Sequence, residues 1–115
     1  MSEIDFLVGR TIIEVRDDER VVFEAGVEPE PRLYADIGDA VCLDSHGEPL
    51  VVDDLAGRTV AQVSSVGGAL QIAFTDGTTL RSEPDPNVEA WQVVGGTPHA
   101  LVVCLPGGEL AVVNQ

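Results

Sequence analysis

A chain of 115 residues holds one ordinary domain and is too short for two. At 44% hydrophobic it is too apolar for a disordered acidic segment, yet only 4% is aromatic, so any core has to be built from Val, Leu, Ile and Ala. Twenty acids against six arginines and no lysine give a formal net charge of −14, a field that repels phosphate backbones and anionic lipid and so argues against nucleic-acid and membrane partners.

The start, Met1-Ser2-Glu3-Ile4-Asp5, lacks the basic region and long apolar run of a signal peptide. The longest apolar run, Ala100 to Leu105, is far short of the ~20 residues that span a bilayer. Two cysteines do not make a disulfide scaffold. A cytoplasmic protein is expected.

The first element is a helical turn over Ser2 to Leu7, ended by a left-handed glycine at Gly9. Short Val-rich runs follow, predicted as strands over 11–15, 20–24, 32–36, 40–43 and 49–52. A second turn, Asp53-Asp54-Leu55 before Gly57, opens another series: 59–64, 70–74, 79–83, 90–94, 101–105 and 109–113. Asp76-Gly77 is a hairpin signal between two of these runs. No window keeps an apolar face at helical period for three turns.

The two series read as copies of one unit. Leu7-Val8-Gly9-Arg10-Thr11 returns as Leu55-Ala56-Gly57-Arg58-Thr59, and Val21-Val22-Phe23 as Ile72-Ala73-Phe74. Val41-Cys42-Leu43 returns as Val103-Cys104-Leu105, and Gly47-Glu48 with its apolar tail as Gly108-Glu109 with its own. The matches keep their order, so one domain is expected to contain repeat units at 7–54 and 55–115. Neither unit buries a sheet face alone. The expected fold is mostly β: tandem repeats packed face to face as a small antiparallel sandwich or barrel with pseudo-two-fold symmetry.

Gly-Arg-Thr near the start, Glu89-Ala90-Trp91 and the late run Pro106-Gly107-Gly108-Glu109-Leu110-Ala111-Val112 together resemble a family of short actinobacterial proteins of unknown function. The resemblance rests on turns and strand patterns and implies no activity, cofactor or site residue.

Cys42 and Cys104 sit in apolar runs of a strongly anionic chain, the opposite of a thiolate site, and are expected buried and reduced. Asp44, His46 and Glu48 alternate like metal ligands, but the second copy has Pro106-Gly107-Gly108 there, so a turn is the expected role and no metal is assigned. Arg10 and Arg58, each after a glycine, are candidates either to clamp an anion or to pair with carboxylates and cap the helical turns; the second role is favoured. Trp91 is expected to fill the core. No nucleophile with its base is readable, so neither catalytic residues nor a cofactor are assigned.

Two classes of function stay open. One is an acidic interaction module, immunity- or inhibitor-like, that covers a basic protein; the other is a small ligand-binding or enzymatic β-barrel with its site between the repeats. A homodimer is compatible with either. For the first, the candidate partner-binding residues are Asp17, Asp18 and Glu19 in a hairpin turn, and Glu28 and Glu30 in a loop stiffened by prolines. Generic solubility is the competing account of the charge.

Overall fold

A computed structural model describes residues 7–17, 19–24, 33–38, 40–87, 89–95 and 100–114. These form eleven strands: β1 (Ile12–Arg16), β2 (Arg20–Phe23), β3 (Leu33–Asp36), β4 (Val41–Leu43), β5 (Pro49–Leu50), β6 (Val60–Val66), β7 (Ala69–Phe74), β8 (Thr79–Ser82), β9 (Gln92–Gly95), β10 (Ala100–Cys104) and β11 (Leu110–Asn114). A 3-10 helix, Val52–Leu55, precedes β6. The Val-rich runs became strands because stiff β-branched side chains pack well on a pleated surface, and the Gly, Pro and Asp between them supply the turns.

The strands make two sheets, ordered β1-β2-β3-β9-β10-β11 and β5-β4-β8-β7-β6, with every pair antiparallel. Each sheet draws strands from both halves of the chain. β3 pairs with β9 and β4 with β8, so the six-stranded sheet joins the β1–β3 meander to the β9–β11 meander, and the five-stranded sheet joins the β4–β5 hairpin to the β6–β8 meander. A meander on its own leaves both edge strands unpaired, and an open edge is a row of unsatisfied backbone groups. Pairing between the two halves of the chain covers one edge of each meander.

Inward-facing residues of both sheets form one core. It includes Leu7, Ile12, Val21, Phe23, Leu55, Val60, Ile72, Val93 and Val102, all buried. The period of two is plain along β7, where Leu70, Ile72 and Phe74 are buried and Gln71 and Ala73 are half-buried. Each such Val, Leu, Ile or Phe contributes about 1.5–3 kcal/mol when fully withdrawn from water.

The sheets meet at one seam, where Thr11 and Thr59 form an antiparallel bridge. The hydrogen bonds there come in matched pairs. Ile12 N donates to Arg58 O at 2.9 Å and Val60 N to Arg10 O at 2.9 Å; Gly9 N donates to Val60 O at 2.8 Å and Gly57 N to Ile12 O at 2.7 Å. The registers of β1 and β6 shift at Ile12/Glu14 and at Val60/Gln62. Gly9 (φ +86°) and Gly57 (φ +92°) take the left-handed conformation expected after the helical turns.

Candidate functional site

At one end of the molecule three segments converge: the β1–β2 turn, the stretch after β3, and the β8–β9 connection. Glu19 O accepts from Ile37 N at 2.8 Å. Ile37 O accepts from the buried Ser82 Oγ at 2.8 Å. Gly38, with φ +57°, packs so closely on the chain that a Cβ there would lie 2.7 Å from Ala90 O. These contacts bring Glu19, Glu83, Asp85 and Glu89 to the rim of one groove of about 390 Å³, whose lining among the described residues contains no basic side chain. Two neighbouring grooves share Glu19, and the larger, about 410 Å³, runs past Asp17 and Asp36.

The arginines near this end are already paired, Arg81 with Glu83 of the rim and Arg16 and Arg20 with Glu14 and Asp36. Arg20 forms a two-pronged bond to Asp36, Nε to Oδ1 at 2.7 Å and the second prong to Oδ2 at 3.0 Å. It also lies 4.2 Å above the centre of the Tyr34 ring. Gln92 Nε2 donates to the same Asp36 carboxylate at 2.6 Å. Desolvation pushes the Asp36 carboxyl up, but the bonds from Arg20 and Gln92 and the Arg20 charge outweigh it and hold the group below the usual carboxylate range. Arg16 is bonded to Glu14 at 2.8 Å.

Of the acids singled out from the sequence, Asp17 and Glu19 lie in the β1–β2 turn as expected, with Asp17 at φ +54°. Asp18, Glu28 and Glu30 fall outside the described residues. The structure instead joins Glu19 to Glu83, Asp85 and Glu89, which sequence reasoning passed over. Nothing local marks them, because only the β2-β3-β9 pairing puts the β8–β9 connection beside the β1–β2 turn.

A second depression lies on the outer face of the five-stranded sheet. Cross-strand register lays two rows over β4, β8, β7 and β6: Val41, Arg81, Gln71 and Ser64 in one, and Leu43, Thr79, Ala73 and Gln62 in the other. They line a groove of about 490 Å³.

The remaining candidates fall into structural roles. Cys42 and Cys104 are free and buried, and burial pushes both thiols above their ordinary pKa. Trp91 is 2% exposed, and its Nε1 donates to Gly68 O at 2.9 Å. Arg58 pairs with Asp76 and donates to Asp54 O at 3.2 Å, so it both meets a carboxylate and caps the 3-10 helix. Asp44 accepts from the backbone N–H of His46 at 2.8 Å and of Glu48 at 3.0 Å, closing the β4–β5 turn, while His46 is exposed. His99 lies outside the described residues. Among the described residues no group of three His, Cys, Asp or Glu side chains is placed to hold a metal ion, and no helix is long and apolar enough to cross a membrane.

Comparison with curated proteins and with solved structures gives no significant match. A family model does match nearly the whole chain, in keeping with a scaffold whose distinguishing features are turns and strand patterns. Over residues 5–114 the chain fits that model and belongs to DUF6188, a family of unknown function.

Proposed function

We propose that this protein is an acidic interaction module that binds a basic protein through the end of the molecule around Glu19. One observation carries the reading: Glu19, Glu83, Asp85 and Glu89, from separate segments, rim one groove with no basic residue in its described lining. Generic solubility needs no such placement. With twenty acids and six arginines, 20 − 6 leaves at least fourteen carboxylates without an arginine of their own. A guanidinium or ammonium entering this groove meets several carboxylates at once, and the field of the whole chain steers it there. A reducing compartment, where Cys42 and Cys104 stay thiols, fits the reading.

The scaffold is, in this reading, a duplication whose two halves were specialised differently. The matched hydrogen bonds about Thr11 and Thr59 support it. So does the contrast between the acidic β1–β2 turn and the Gly67-Gly68 turn of β6–β7.

The test is capture from the source lysate, identification of what is retained, and kinetics with the purified partner. The on-rate should fall steeply from 0.1 M to 1 M salt, as the Debye length shrinks from about 10 Å to about 3 Å. A variant carrying Glu19→Gln, Asp85→Asn and Glu89→Gln should lose most of that rate. A partner bound equally well by this variant, or with no salt dependence, sinks the reading.

A further inference from the structure

The groove on the outer face of the five-stranded sheet stands apart from the acidic end in its chemistry. Val41, Leu43 and Ala73 give it apolar surface, and Val41 is left 59% exposed. The amides of Gln62 and Gln71 offer donors and acceptors, and Arg81 is the one charged side chain in the described lining. Among the described residues no acid is in the lining, in a chain that has twenty acids, and Glu83, paired with Arg81, stands outside the lining. We propose that this groove binds a small amphipathic molecule with an apolar body and a single anionic head, the head seated on Arg81.

Size and surroundings select this occupant. About 490 Å³ lies within the range of sites for drug-sized ligands, which are mostly apolar with a few placed polar groups. An extended peptide is recognised by adding to a sheet edge, whereas this groove lies across the sheet face: β4, β8 and β7 are each flanked by strands on both sides, and of the strands that line it only β6 is an edge strand. A second copy of the chain needs about 800 Å² per partner. The two rows span only three strand spacings of about 4.8 Å and one two-residue step of about 7 Å, which falls well short. Charge complementarity picks the head group. Arg81 is paired with the exposed Glu83, and surface pairs of this kind are weak, so a ligand carboxylate or sulfonate replaces Glu83 at little cost and gains the forked guanidinium geometry.

The test titrates the full chain with 8-anilinonaphthalene-1-sulfonate, an apolar monoanion, followed by fluorescence, with decanoate and decanol as competitors. Saturable binding at one probe per chain is expected, with decanoate displacing it at least about tenfold better than decanol. Arg81→Gln should erase that preference and leave decanol binding in place. Thr79→Glu puts a carboxylate in the groove at an exposed position, and should weaken probe and decanoate at least about tenfold with an unchanged Tm. Gln62→Glu repeats the test from the facing strand if the first variant folds poorly. The proposal is overturned by no saturable binding up to about 1 mM. It is equally overturned if the decanoate preference persists in Arg81→Gln. Light scattering that shows a dimer dissolved by Thr79→Glu would replace it with self-association.

Discussion

The hydroxyl oxygens of Thr11 and Thr59 lie 2.8 Å apart, joining the edge strand of one sheet to the edge strand of the other. Each hydroxyl is part-buried, so losing one leaves the other short of a partner at a bridge that lies outside the named strands. Thr11→Val and Thr59→Val are each expected to cost about 1 kcal/mol. The double variant should cost less than the sum by at least about 0.5 kcal/mol, because the second substitution removes an already orphaned group. Urea midpoints of the four proteins check this, and strict additivity would mean that the hydroxyls do not act as a pair.

Gly68 and Gly108 approach so closely that a Cβ on Gly68 would lie 2.5 Å from Gly108 O. Gly68 also has φ +86°, and its carbonyl accepts from both Trp91 Nε1 and Cys104 Sγ. Gly9 has the same φ of +86° with open space around it. Gly9→Ala should therefore cost only the left-handed penalty of about 1–2 kcal/mol. Gly68→Ala should exceed it by at least about 1 kcal/mol, because backbone has to move. Equal losses in chemical denaturation would show that the turn yields freely.

Both thiols should react slowly with a disulfide reagent in the native protein and at once after denaturation, giving two free thiols. The linkage sign follows from the raised pKa values: the folded state holds each thiol proton more tightly than the unfolded one. This contribution to stability is complete below the ordinary thiol pKa of about 8.5 and is lost as pH rises through the folded values. The urea midpoint should fall in that alkaline range, and Cys42→Ser with Cys104→Ser should remove this component of the fall. Rapid native labelling of either thiol would contradict the assignment.

Asp36 carries the opposite sign. Its folded pKa is depressed, so its stabilisation is complete above the ordinary Asp value of about 3.9 and is lost as pH drops through the folded pKa. Asp36→Asn keeps the shape and removes the charge. At neutral pH it should cost roughly 1 kcal/mol or less, because Arg20 and Asp36 are partly open to solvent and screened. Once the pH is below the depressed folded pKa, the variant and the parent should converge. A constant gap across the acid limb of the stability profile would show that the charge contributes nothing.

The positions of the strands were legible in the sequence, because period-two Val-rich runs and the Gly, Pro and Asp that divide them act locally. The run predicted at 70–74 became Ala69–Phe74, and that at 101–105 became Ala100–Cys104. The same local logic placed Cys42 and Cys104 in the core and left-handed glycines at positions 9 and 57. Which strands pair was not legible. The edge of β3 offers the same N–H and C=O groups to any neighbour, and nothing in Leu33-Tyr34-Ala35-Asp36 names β9 as its partner. That choice depends on how the whole set of inward faces packs and which edges it leaves to be covered. It brought Glu89 of the β8–β9 connection to Glu19 at the acidic end, and laid Val41 beside Arg81 in the groove. The local chain determined what each strand is made of; only non-local pairing decided which side chains share a surface.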